Sequence, residues 1–234
     1  MVRRFVPFIM AAVILLGICS IAHIKQGESH YVFSSVRYPE EQLILDAGHG
    51  GEDGGAVSVT GVPESGINLS IAFKLDALCG LYGISPVLLR TEDISLHDDS
   101  ATTIHEKKSS DLHNRADQVE NTENATLISI HQNKFTNSSA HGAQVFYSNP
   151  DLSLALAQLT QEALRVTLDE SNTRIATQIP NTVYLMNHIS CRAILVECGF
   201  LSNPAEDKLL QSGEYQTKIA TAILSAWLQY QRDE

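Results

Sequence analysis

Apolar residues along this chain follow two alternating spacings. Gln42 to Asp46 (QLILD) is a short continuous run that ends in a glycine-rich turn, the pattern of a buried strand. In Glu64 to Leu81 the apolar positions Ile67, Ile71, Leu75 and Leu78 recur at three and four, which predicts a helix that Gly83 ends. Ile84 to Leu89 predicts a second strand, Asp111 to about Thr122 a helix, Thr126 to His131 a third strand and Ala143 to Tyr147 a fourth. Asp151 to about Leu168 predicts a helix with Asp151 as N-cap after Pro150. Ala193 to Glu197 predicts another buried strand, and Gly213 to Tyr230 the last helix. Strands alternating with helices imply a single α/β domain: a mostly parallel twisted sheet with helices on both faces.

The first residues break this pattern. Arg3 and Arg4 precede an apolar stretch from Phe5 to about Ile24 that has no acid and no lysine. This predicts a signal peptide or an N-terminal membrane anchor over 1–24, with Ser20-Ile21-Ala22 as a small-x-small cleavage site. Ile18 stands before Cys19 where a lipoprotein signal needs a small residue. Residues 25–41 then read as a linker and 42–234 as one catalytic domain, exported across the cytoplasmic membrane and secreted or anchored by its N-terminal segment alone. With 234 residues, 44% of them hydrophobic, the chain can build a full core without staples. A net charge of −11 excludes a basic nucleic-acid footprint. Cys19, Cys79, Cys191 and Cys198 match no metal ribbon or CxxC pair and read as small buried hydrophobes.

In open α/β sheets, ligands bind beyond the carboxyl ends of the strands. Three predicted strands end in chemistry-bearing residues: Asp46 with the turn containing His49, Ser129-Ile130-His131, and Val196-Glu197-Cys198. Glu64 opens the first helix and faces the same rim. Two imidazoles and one carboxylate with an open fourth position make a catalytic zinc set, which leaves Glu197 as an acid–base group. Competing motifs fail. The glycine run from Gly48 has Asp53 where GxGxxG needs its third glycine, His105-Glu106-Lys107-Lys108-Ser109 ends in serine rather than histidine, and no P-loop or GxSxG elbow occurs. Glu197 beside Cys198 disfavours a thiolate nucleophile. His97, His105, His113, His141 and His188 read as solvated, and Glu52 and Asp53 as residues that shape the loop.

These blocks resemble one family. Ile44-Leu-Asp-Ala-Gly-His-Gly-Gly-Glu-Asp-Gly-Gly-Ala56, Glu64 with Asn68-Leu69, Leu112-His-Asn-Arg115, Ser129-Ile-His-Gln-Asn133 and Leu195-Val-Glu-Cys-Gly-Phe-Leu-Ser-Asn203 resemble, in order, the motifs of the zinc-dependent N-acetylmuramoyl-L-alanine amidases of the Amidase_3 type. Leu89-Arg-Thr-Glu-Asp93 is similar to that family's TRxxD with the order changed at Arg90 and Thr91. Asn181-Thr-Val-Tyr184 and the compact length are most like its sporulation- and germination-specific members, which act on spore cortex.

The resemblance implies one Zn2+ per chain on His49, Glu64 and His131, with Glu197 catalytic. Asp46, Asn68 and Asn133 are candidates for orienting ligands or substrate. It also implies hydrolysis of the amide between N-acetylmuramic acid and L-alanine in peptidoglycan. Lys134 departs from the family pattern and is expected to place a charge near the cleft, while Asn187 and His188 stand where many relatives carry an arginine. Three readings stay open: a self-sufficient amidase, an amidase-fold binding protein that needs an accessory protein to load zinc, and a zinc peptidase that cuts within the stem peptide.

Overall fold

The computed structural model describes residues 41–233; the predicted signal or anchor and most of the predicted linker lie outside them. The sheet has six strands: β1 (Gln42–Ala47), β2 (Val87–Leu88), β3 (Ala125–Asn133), β4 (Gln144–Tyr147), β5 (Thr177–Gln178) and β6 (Arg192–Phe200). Their order is β2-β1-β3-β6-β4-β5. β2, β1, β3 and β6 run parallel, and β4 is antiparallel to β6. The helices are α1 (Glu64–Leu81), α2 (Ile104–Glu120), α3 (Pro150–Leu168), α4 (Tyr184–Asn187), α5 (Pro204–Leu210) and α6 (Gly213–Asp233).

Successive strand side chains point to opposite faces. Leu43 and Leu45 of β1, Ile128 and Ile130 of β3, and Ile194 and Val196 of β6 pack under the apolar stripes of α1, α3 and α6. The intervening residues Ile44, Leu127, Ala193 and Leu195 face the other way, against Ala116 and Val119 of α2 and Leu185 and Met186 of α4. By the same parity Asp46, Ser129, His131 and Glu197 continue this second face. The register sets Asp46 beside Ser129 and His131 beside Glu197. The first face is apolar along the middle of these strands, while the second turns polar at the carboxyl ends of its three central strands.

Local differences from the sequence reading have physical causes. α2 starts at Ile104, ahead of the predicted Asp111, because Thr103 and Glu106 form a reciprocal capping box. That first turn is exposed and polar, so it carries no hydrophobic period. Only Val87–Leu88 of the predicted 84–89 strand pairs, since Pro86 lacks an N–H for the ladder. β5, α4 and α5 are too short to show a period. Cys79 and Cys198 are buried as expected, but Cys191 is half-buried at the start of β6.

Candidate active site

The turn after β1 carries His49 with φ +62°, a left-handed conformation that costs a non-glycine residue about 1–2 kcal/mol. Two buried guanidiniums hold it there. Arg115 Nη2 donates to the His49 carbonyl (2.9 Å), while Nη1 donates to the Ala47 carbonyl (3.2 Å) and to the Asp46 carboxylate. Arg115 Nε donates to Asp111 Oδ2 (2.7 Å). Arg90 donates to the carbonyls of Ala47 (2.8 Å), Gly48 (3.2 Å) and Ser65 (2.8 Å), tying the turn to the start of α1. Burial works to raise the Asp46 pKa, but Arg115, His131 and the Ser129 hydroxyl hold it below the usual carboxylate range.

Glu64 is the first residue of α1. Its Oε2 accepts from Ala56 N (2.7 Å) while its own N–H donates to the Ala56 carbonyl (2.9 Å), which closes the intervening loop. The other oxygen, Oε1, lies 3.3 Å from His49 Nε2 and 3.1 Å from His131 Nδ1. His49, Glu64 and His131 thus each offer a donor atom within 4.8 Å of the others, a cluster able to hold a metal ion. Asn68, one helical turn on, donates to Glu64 Oε1 (3.2 Å) and to the Gly48 carbonyl (3.1 Å), and accepts from Gln132 Nε2 (3.0 Å).

Two glycines make room for these rings. A Cβ on Gly48 would lie 2.2 Å from the His131 ring, and one on Gly55 (φ +70°) 2.5 Å from Glu64 Cγ and 2.6 Å from His49 Cδ2. Gly55→Ala is therefore expected to weaken metal binding at least tenfold while the far-ultraviolet circular dichroism stays that of the parent. Titration with a competing chelator reads this, and unchanged metal affinity would refute the close packing.

The electrostatics bind imidazoles and carboxylates to one another. Burial disfavours a charged His49, but Asp53, at 3.0 Å from Nδ1, and Glu64 outweigh it and raise the imidazole pKa to about 9. Burial likewise tends to raise Glu64, but His131 and His49 hold it well below the usual range. The hydrogen bond to His49 does the same for Asp53, with help from Lys108 at 3.2 Å. Glu197 is the exception. Burial pushes it up to about 7; His131 and His49 oppose that and Glu64 adds to it. Its Oε2 is shut off from solvent and takes no hydrogen-bond partner among the described residues. His49, Asp53, Lys108 and Glu197 line a cavity of about 240 Å³ floored by Asp46, Ser129, His131 and Glu197 and walled by α2 and residues 182–186, with Glu64 behind the two imidazoles.

With the geometry in place, the comparisons name the lineage. Residues 43–228 match the family described as N-acetylmuramoyl-L-alanine amidase, Amidase_3. The chain belongs to this amidase family. The germination-specific N-acetylmuramoyl-L-alanine amidase of Bacillus subtilis is 34% identical over 189 residues, covering 80% of this chain and 78% of that one. AmiA of Escherichia coli is 30% identical, covering 80% and 75%. Among solved structures, the CwlD amidase of Clostridioides difficile in complex with the GerS lipoprotein superposes with TM-score 0.79 at 37% identity, over 83% of this chain and 100% of that one.

Measured against that family, several details of this amidase differ from the sequence reading. Lys134 does not face the cleft: its Nζ donates to the Val57 carbonyl (3.0 Å), on the loop that precedes Glu64. Gln132 Nε2 donates to the Asn68 amide oxygen (3.0 Å), a contact that the sequence reading did not name. Asn187 donates to the carbonyls of Pro180 (3.0 Å) and Val183 (2.7 Å), so it braces the 180–187 segment. His97 is half-buried against Ser95 Oγ (2.9 Å), and Asp53 contacts His49 directly. Ser129, Asp111 and Gln132 were not singled out by the sequence reading; the i,i+4 pair Asp111 and Arg115 was the available signal. Cys198 is fully buried, and burial together with Glu197 raises its thiol well above the ordinary value, which excludes it as a nucleophile.

Proposed function

We propose that this protein is a zinc-dependent hydrolase of the amide between N-acetylmuramic acid and L-alanine in peptidoglycan, working on spore cortex. The observation that carries the reading is the meeting of His49, Glu64 and His131 beside a buried carboxylic acid, Glu197, in one cleft. The donor set suits zinc: two imidazoles and a carboxylate, with Gly48 and Gly55 leaving space around them. Zinc held there would supply Lewis acidity to the scissile carbonyl and to the attacking water. Asn68 and Gln132 keep Glu64 oriented, and Asp53 does the same for His49. Glu197 takes the proton of the attacking water and returns it to the departing alanine nitrogen. Burial favours the protonated form of this carboxyl, which helps it hold the proton between the two transfers. Metal uptake below pH of about 9 would displace a proton from His49.

The cortex assignment leans on the germination-specific relative, and an accessory partner on the lipoprotein complex of the Clostridioides difficile amidase. Export through residues 1–24, with residues 42–234 as the catalytic domain, fits a substrate outside the cytoplasmic membrane. The test pairs zinc content by mass spectrometry with digestion of purified peptidoglycan, for the parent and for His131→Ala. One zinc per parent chain and intact stem peptides with free L-alanine amines are expected, and both should vanish in His131→Ala. Cuts inside the stem would instead identify a peptidase. Activity in a preparation that never takes up metal would overturn the zinc assignment.

A further inference from the structure

The bond to be cut joins a lactyl group on a sugar ring to an alanine, so a pyranose must lie within a few bonds of the reacting carbonyl. The cavity over the ligand cluster, about 240 Å³, holds the bond and its nearest groups but not a glycan chain as well. The sugar must therefore rest on the lip.

At that lip stands an arrangement the fold does not require. Tyr184, at the start of α4, lines the cavity and is half-buried. Its ring lies against two exposed imidazoles: His188 stacks on it at 3.8 Å and 12°, and His113 sits tilted at 4.6 Å and 40°, between ring centroids and planes. Among the described residues the Tyr184 hydroxyl has no hydrogen-bond partner, although a phenol that lines a cavity ordinarily finds one. The imidazoles are fixed in place: His188 Nδ1 lies 2.8 Å from the Tyr184 carbonyl and His113 Nδ1 2.6 Å from the Ser109 carbonyl. A carbonyl only accepts, so Nδ1 carries the hydrogen in both rings and each Nε2 is left for a ligand. The result is a cluster of three aromatic rings edged with unspent polar atoms, with Tyr184 at the cavity.

We propose that His113, Tyr184 and His188 form a saccharide subsite that holds the glycan side of the substrate. This rests on the muramoyl-amide reading above. A pyranose has an apolar C–H face that packs on an aromatic ring and a rim of hydroxyls that need hydrogen-bond partners; this stack offers both. A stem peptide, with its carboxylates, would want free cations instead. The cations that line the cavity are already engaged: Lys108 with Asp53, Arg115 with Asp46 and Asp111. Tyr184 acts here as a positioning residue, and the loss on removing the stack should fall mainly on KM.

The experiment uses the full chain, His188→Ala and Tyr184→Phe. Binding of a peptide-free tetrasaccharide of alternating N-acetylglucosamine and N-acetylmuramic acid is followed by calorimetry and ligand-observed NMR, with a free stem peptide as the second probe. The tetrasaccharide should bind the parent and lose about three- to tenfold in affinity in each variant, the range expected for one stacking or hydrogen-bonding contact. Stem-peptide affinity and zinc content should hold. Equal tetrasaccharide affinity in parent and variants, or a selective loss of stem-peptide binding, would overturn the subsite. Tyr184→Phe keeps the ring and the packing, so it decides the matter if His188→Ala fails to fold. Parent hydrolysis of peptidoglycan is scored separately. Stack-dependent glycan binding without hydrolysis would sink the amidase reading alone, and hydrolysis with stack-independent binding would sink the subsite alone.

Discussion

Glu197→Gln is expected to cut turnover by about 10²–10⁴-fold, the usual contribution of a positioned acid–base group, while the metal stays bound. The amide keeps the shape but can neither take the proton of the attacking water nor return it. The same substitution should make the metal-free protein more stable, and the sign of the pH dependence follows from burial. Folding raises the Glu197 pKa from 4.5 to about 7. Below the ordinary value the group is neutral whether the chain is folded or not, and the fold suffers nothing. As pH rises through about 7 the folded protein must hold a charge that the cleft disfavours, at a penalty of roughly 3 kcal/mol. The melting advantage of the glutamine variant should therefore be small near pH 5, grow toward pH 7 and level off above it. Thermal melts of both metal-free proteins across that range, with turnover of the zinc-loaded forms, check it. Undiminished turnover would remove Glu197 from the chemistry, and an advantage larger at pH 5 than at pH 8 would contradict the buried-acid account.

Arg115→Ala is expected to be the most destabilising single change near the site. It takes the guanidinium from Asp46, which is 1% exposed, and from Asp111, and it leaves the His49 carbonyl without its Arg115 donor. Removing one member of a buried ion network costs about 3–5 kcal/mol, a large part of the 5–15 kcal/mol that holds a domain together. In a chain of this size that lowers the melting temperature by roughly 10 °C. The damage reaches the His49, Glu64 and His131 cluster, because the left-handed His49 backbone loses the guanidinium that holds its carbonyl. Arg115→Lys keeps the charge but not the fork that spans Asp46, Asp111 and two carbonyls, so it should fall between the parent and alanine. Calorimetry and zinc affinity on the three proteins test this. A melting temperature within a degree or two of the parent for Arg115→Ala would show that the network is dispensable.

Much of this site was legible in the chain because the chemistry sits at strand ends. Where a run such as QLILD stops, the sheet stops, and the next polar residue faces the rim where ligands bind. His49, His131 and Glu197 each follow such a run, and Glu64 opens the next helix, so their convergence follows from period and order alone. The fold class came through for the same reason: the even and odd positions of β1, β3 and β6 are both apolar, which requires helices on both faces. Elements without a period did not come through. The polar first turn of α2 is set by the Thr103 and Glu106 capping box, and α4 is a single turn defined by what it packs against.

Sequence by itself determined the sheet, its buried helices, the family and the four residues that the fold brings to one rim. Tertiary structure alone decided how they are held and tuned. That Arg115 and Arg90 grip three successive carbonyls, that Gln132 reaches Asn68, and that Lys134 turns to Val57 depend on neighbours scores of residues away. The pKa of Glu197 belongs to the same class, since it is set by exclusion of water and by charges from β1, α1 and β3. So do the ring contacts of Tyr184 with His113 and His188, which join α2 to α4 across a gap in sequence. Periodicity records which face of its own element a residue occupies. It carries no record of the residue opposite, and hydrogen bonds, burial and ring stacking act over a few ångströms between partners that only the folded chain brings together.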